Sequence, residues 1–273
     1  MGTGYRRPDG PTLRFSLLGP IRAFHGSAEI PLGSPQQRST LAILLLRRRE
    51  LATIDELVGA VWGEEPPRAA VSTVRTYVSR LRKLLAQRIE AGPDPITSMA
   101  GGYLLRVPAE SIDVWRFQRH TEQARAARER LDLETAAAEL RTALRLRHGP
   151  PLAHATGPYL DAQRLWLDQL MTAAVEDRLA VDLQRGRHAE TIGDLCVLVC
   201  EHPLRERLRE LLMLALYRSG RQADALEQYH QARRLLVDQL GIEPGAGLRR
   251  LHQQILTADP DLLPDPQLLV GAR

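Results

Sequence analysis

The chain has 273 residues, 44% of apolar types and 26% charged, with a formal net charge of +4. That length suits two domains with separate cores, and the apolar runs are too short and too interrupted to predict a membrane-spanning helix. Cys196 and Cys200 are the only cysteines, so no disulfide framework is expected, and the first residues lack the apolar stretch of a secretory signal, so the expected location is the cytoplasm.

Residues 13–33 alternate loosely between apolar and polar types and are cut by Gly and Pro, which predicts a small antiparallel sheet. Ser34-Pro35 then opens a helix, Ser as N-cap and Pro in the first turn. Its apolar stripe includes Leu41, Leu44 and Leu45, and it ends at Arg47-Arg48-Arg49. Thr53 and Glu56 have the spacing of a capping box and start a second helix that runs to about Trp62. After the break Gly63-Glu64-Glu65-Pro66-Pro67 a third helix begins near Val71. Residues 94–98, a Gly101-Gly102 turn and residues 103–107 read as a closing hairpin. Sheet, three helices and hairpin are the order of a winged helix-turn-helix.

From Ile112 the chain turns to Ala/Leu/Arg-rich helical segments. Gly186-Arg-His-Ala-Glu190 returns as Gly220-Arg-Gln-Ala-Asp224, 34 residues on, which is the period of tetratricopeptide helical hairpins. Residues 134–144 read as part of an earlier hairpin, and 157–183 as one long amphipathic helix. The predicted fold is therefore mainly α with small β-sheets. It comprises a winged helix-turn-helix domain over 13–108, an all-α tetratricopeptide-like repeat domain over 112–258, and a tail over 259–273.

Charge divides along the same line. Residues 1–110 hold 15 Lys+Arg against 10 Asp+Glu, and residues 111–273 hold 22 against 23, so the excess sits in the first part. It is densest in the third helix. Val74, Val78, Leu81 and Leu85 recur at intervals of 4, 3 and 4 and predict one buried stripe. Residues 67–89 carry Arg68, Arg75, Arg80, Arg82, Lys83 and Arg88 with no Asp or Glu among them. A solvated helix face ordinarily mixes in acids, because i,i+4 pairs relieve like-charge repulsion. A polyanion relieves it here instead, and the small Ser72, Thr76 and Ser79 let the helix lie deep in a major groove. Double-stranded DNA is the expected partner. The alternative is a repeat scaffold whose basic helix packs on an acidic protein; the salt dependence of DNA affinity separates the two.

Elsewhere the sequence holds no catalytic pattern, so neither an enzyme nor a bound cofactor is expected. Cys196, Cys200 and His202 lack the further ligands a metal site needs, and the cysteines are expected to be buried on a repeat helix. Trp62, Trp115 and Trp166 are expected in packing roles.

Residues 13–107 resemble the winged-helix domain of OmpR/PhoB-type response regulators through Val61-Trp62-Gly63, Val78-Ser79-Arg80-Leu81-Arg82-Lys83 and Gly102-Tyr103. The remainder resembles the bacterial transcriptional activator domain through His202-Pro-Leu-Arg-Glu-Arg207, the stretch Leu214–Arg221 and the stretch Leu240–Gly245. The combination, with LLGP at 17–20 and GSPQQR at 33–38, is similar to the Streptomyces antibiotic regulatory protein (SARP) family. The resemblance implies a pathway-specific activator that binds direct repeats as a head-to-tail pair and recruits RNA polymerase. It implies Arg80 at base edges and Trp62, Tyr77, Arg82 and Tyr103 at phosphates. Arg75, Thr76, Ser79 and Lys83 complete the expected DNA-facing set. Glu64 and Glu65, held off the basic helix by two prolines, are the expected polymerase contact, on its sigma subunit. Met99 stands where relatives can carry a minor-groove arginine.

Overall fold

The computed structural model describes residues 13–86 and 94–263; the expectations for the first 12 residues, for Arg88 and for the end of the tail lie outside the described residues. Strands β1 (Leu13–Ser16), β2 (Arg22–His25) and β3 (Ala28–Ile30) form an antiparallel meander. Phe15 and Ala23 pair across β1 and β2 and are buried together, whereas Arg14 and Arg22 on the opposite face are exposed. Helix α1 (Pro35–Leu46) starts as expected: the Ser34 hydroxyl accepts the Gln37 amide. Its burial is wider than a stripe, taking in every residue from Leu41 to Leu45, because other elements pack around it.

Strand β4 (Ala52–Thr53) leads into helix α2 (Ile54–Trp62), whose capping box is made in full by Thr53 and Glu56. Helix α3 (Ala70–Ala86) packs on α1 and α2. It buries Val74, Val78, Leu81 and Leu85 to 0% exposure, the four residues of the predicted stripe. Strands β5 (Ile96–Met99) and β6 (Gly102–Leu105) form the hairpin, and β4 joins them in the order β4-β6-β5. Gly101 turns at φ +80°, and a Cβ on Gly102 would come within 2.3 Å of the Ala52 carbonyl oxygen. The two consecutive glycines thus serve different needs: one makes the turn and the other lets β4 approach.

The rest is helical: α4 (Asp113–Glu129), α5 (Leu133–Leu144), α6 (Pro158–Gln184), α7 (His188–Glu201), α8 (Glu206–Arg218), α9 (Gln222–Leu240) and α10 (Ala246–Leu256). Gly186 and Gly220, the residues 34 apart, take the same left-handed conformation at φ +80° and +76° ahead of α7 and α9. Leu195, Val199, Leu208, Leu212, Leu216, Leu248 and Ile255 share one core. Leu262 is buried in it too, and Arg218 Nε donates to the Leu262 carbonyl at 2.6 Å, so packed chain continues past residue 258. The fold is mainly α with small antiparallel sheets, a winged helix-turn-helix region preceding the helical repeats.

The described residues form two compact units: those up to 120 together with 142–171, and 121–141 together with 172–263. In the second, Arg185 clamps Glu134 with two hydrogen bonds of 2.8 and 2.6 Å, fastening α5 to α6, and Arg205 holds the buried Glu176. Two expectations are corrected. Cys196 and Cys200 are exposed, because the buried stripe of α7 runs through Thr191, Leu195 and Val199, and each cysteine follows a stripe residue and turns about 100° away. Trp166 is 38% exposed on α6, whereas Trp115 is half-buried beneath the Arg48 guanidinium. Among the described residues no helix is long and apolar enough to cross a membrane.

Candidate nucleic-acid interface

The second and third helices of the winged unit set the geometry. Burying Val74, Val78, Leu81 and Leu85 fixes the rotation of α3 and leaves Ser72, Arg75, Thr76, Ser79, Arg80 and Lys83 exposed. The hydroxyls of Ser72, Thr73 and Thr76 fold back onto the helix's own carbonyls at 2.8–2.9 Å. The centre of the face is therefore low, and the cations stand proud of it.

Part of the positive charge of the helical unit is paired. Arg178, Arg187, Arg207, Arg221, Arg233 and Arg234 each sit within 4 Å of a carboxylate in the helical unit. Arg75, Arg80 and Lys83 make no ion pair among the described residues. Three unneutralised cations on one helix face repel one another, at a cost of a few tenths of a kcal/mol per pair. That cost is recovered when an anion fits against them.

Arg82 takes a different place. It is half-buried between α3 and the wing: its Nε donates to the Ile96 carbonyl at 2.7 Å and its Nη2 to the Ser98 hydroxyl at 2.9 Å. Asp94 lies 3.4 Å away, and the guanidinium rests over the Tyr103 ring, 5.4 Å from its centroid. Tyr103 is buried. The pair thus brace the β5–β6 hairpin against the recognition face, a role that spacing did not reveal because it depends on how the hairpin folds back. Trp62 and Tyr77 are half-buried at the margin of the face. Met99 is exposed at the wing tip, next to the Ala100-Gly101 turn.

Glu64 and Glu65 are exposed in the turn between α2 and α3. Gly63, at φ +70°, redirects the chain there, and the Ala70 amide donates to the Pro67 carbonyl at 2.9 Å to start α3. Arg47, at the end of α1, pairs with Glu56 at 2.9 Å and stacks on Tyr159, so it is committed within the fold. Among the described residues no group of three His, Cys, Asp or Glu side chains is placed to hold a metal ion.

Residues 28–105 match the family "Transcriptional regulatory protein, C terminal", and residues 112–256 match the family "Bacterial transcriptional activator domain". The chain is 49% identical to the regulatory protein AfsR of Streptomyces coelicolor over 94% of its own length, but spans only 26% of AfsR. It is 34% identical to the regulatory protein DnrI of Streptomyces peucetius, covering 92% of this chain and 94% of DnrI. The solved structure of Mycobacterium tuberculosis EmbR, in complex with a low-affinity phosphopeptide, superposes with a TM-score of 0.87 at 34% identity. That match covers 91% of this chain and 66% of EmbR. A winged helix with an unneutralised recognition face, joined to helical repeats and matched along nearly the whole of DnrI, has one family identity: the chain belongs to the Streptomyces antibiotic regulatory proteins, a family of transcriptional regulators.

Proposed function

We propose that the chain is a sequence-specific DNA-binding activator of a pathway for antibiotic or other secondary-metabolite synthesis, working in the cytoplasm. The observation that carries this reading is the face of α3, where Arg75, Arg80 and Lys83 stand exposed and unpaired among small hydroxyl residues. DNA supplies phosphates for the cations and a groove for the low centre of the helix. Arg80 reads a guanine edge with its two-pronged guanidinium; Thr76 and Ser79 sit at the groove floor; Arg75 and Lys83 hold phosphates. Trp62 and Tyr77 flank the backbone, and Arg82 with Tyr103 sets the wing beside it.

Two copies bind direct repeats head to tail, an arrangement that uses one surface patch of each copy against a different patch of its neighbour. Glu64 and Glu65 turn away from the DNA and engage a basic surface of RNA polymerase, on its sigma subunit. An acid pair exposed beside a basic reading helix supports this contact, since turned toward the DNA it would hinder phosphate binding.

Titration of the chain against operator and scrambled duplex at several salt concentrations tests the assignment. A bidentate arginine–guanine contact discriminates by about 1–3 kcal/mol. Arg80→Ala is therefore expected to compress the ratio of operator to scrambled affinity. Lys83→Ala is expected to weaken both and to flatten the log–log salt slope by about 0.9. Equal losses on both duplexes from Arg80→Ala would make it a phosphate clamp. In a purified transcription system, Glu64→Ala with Glu65→Ala is expected to leave operator affinity intact and lower transcript yield.

A further inference from the structure

The pairing of β1 with β2 sets Arg14 opposite Phe24 and Ser16 opposite Arg22, so these four side chains share one face of the sheet while Phe15 and Ala23 face the core. On a small solvated sheet that face would be open. Here it forms one wall of a cavity of about 370 Å³. Asp113 and Arg116 of α4 and Leu146 and His148 after α5 complete the walls, every one of them in the same compact unit. The volume lies within the range of about 300–1,000 Å³ typical of small-molecule sites.

The chemistry of the walls is one-sided. Pro20, Phe24 and Leu146 give an apolar interior. Around it stand three guanidinium groups and an imidazole, from Arg14, Arg22, Arg116 and His148. Asp113 is the only acid lining the cavity among the described residues, and its carboxylate is already engaged. It accepts from the Ser16 hydroxyl at 2.9 Å, from the Leu17 amide at 2.8 Å, from the Leu18 amide at 3.0 Å and from the Val114 amide at 2.8 Å. The arginines are not spent in the same way. Arg14 gives one Nη2 bond to the Gly26 carbonyl, Arg22 forms a long, exposed ion pair with Glu29 at 3.7 Å, and the Arg116 side chain makes no hydrogen bond or ion pair among the described residues.

A cavity with an aromatic wall at Phe24, guanidinium groups with donors to spare and a single acid already engaged fits one class of occupant. We propose that it binds a small, flat organic anion, an aromatic carboxylate or similar acid. The acid group would meet Arg116 and Arg22, and the ring would lie against Phe24. Inorganic phosphate would leave the apolar walls uncovered, and a neutral aromatic would leave the Arg116 guanidinium without a partner.

The segment that carries His148 is fixed to the end of the sheet. The His148, Leu152 and Ala153 amides donate to the carbonyls of Leu18, Leu17 and Gly19 at 2.8, 2.9 and 3.1 Å. The occupant would therefore touch the sheet, the first turn of α4 and the residues Leu146 and His148 together, and its binding would stabilise their junction by mass action.

Calorimetric titration of the whole chain with 2-naphthoate tests the proposal, with the neutral 2-naphthalenemethanol in parallel. Saturable one-to-one binding of the carboxylate is expected, with the alcohol weaker by about tenfold or more, since a charge-assisted bond is worth about 1.5–3 kcal/mol. Arg116→Gln and Phe24→Ala are each expected to weaken naphthoate, while Arg250→Gln, an exposed arginine on α10, leaves its affinity unchanged. Circular dichroism of each variant checks that it is folded, and Arg22→Gln replaces either one that is not. Absence of saturable binding at millimolar naphthoate would overturn the proposal. So would equal affinity for the alcohol, or an equal loss in Arg250→Gln, which would make the binding diffuse attraction to a basic surface.

Discussion

Asp113 does more for the fold than its place in the sequence advertises. As the first residue of α4 it reads as an ordinary first-turn acid. In the fold it is 6% exposed and satisfies the amides of Leu17 and Leu18, which have no strand neighbour where β1 ends. Removing the carboxylate strands two buried donors, so Asp113→Ala is expected to destabilise the first unit by about 3 kcal/mol in chemical denaturation. Burial is the largest influence on its titration and pushes its pKa up, with the amide and hydroxyl bonds opposing. The native state thus holds this proton more tightly than the unfolded chain does. The contribution to stability is fullest below the ordinary aspartate pKa and falls as pH rises through the raised folded value. The stability difference between the wild type and Asp113→Asn, followed by melting across the acid range, is expected to shrink as pH increases. Nothing in the local sequence reveals this residue, because its partners are 95–97 positions away.

Among the elements, α3 was the most legible and β4 the least. The 4-3-4 spacing of the α3 stripe and the lack of acids are local facts, and both the buried face and the charged face follow from them. The Ser34 cap, the Thr53–Glu56 capping box and the turn glycines are local too. Strand β4 is two residues long and exists only through its pairing with β6, so no periodicity could announce it. The exposure of Cys196 and Cys200 escaped for a related reason. LCVLVC is apolar throughout, and only the packing of α7 against α8 decides which third of it is buried. The wing's dependence on close backbone approach gives a direct test. Gly102→Ala sets a Cβ against the Ala52 carbonyl and is expected to cost about 1–3 kcal/mol and to loosen the hairpin. Operator affinity should fall with it. Gly59→Ala, in the interior of α2 with nothing within 4 Å of the added carbon, is expected to raise stability by about 0.4–1 kcal/mol. Thermal melts of the two variants should therefore move in opposite directions.

At the scale of the whole molecule, the proposed head-to-tail pair on direct repeats makes a demand on the DNA. Both copies must present α3 to the same side of the duplex, so repeat centres belong a whole number of turns apart, about 10–10.5 bp each. Inserting about half a turn, roughly 5 bp, between the repeats is expected to abolish cooperative binding in a mobility-shift titration while leaving single-site affinity intact. The path of the chain bears on a further matter. Residues 142–171 belong to the compact unit of the winged helix, although they lie inside the span matched by the activator-domain family. The Ser39 hydroxyl accepts the Thr156 amide, Tyr159 lies under Arg47, and a Cβ on Gly157 would strike the Ala60 carbonyl oxygen at 2.4 Å. The winged unit is thus finished by a segment that arrives some twenty residues after the chain has left it. Exchange of DNA specificity between such regulators, by recombination or by design, cannot be made by one cut after the wing: a transplanted head must bring its later segment along, or have its new host supply a matching one.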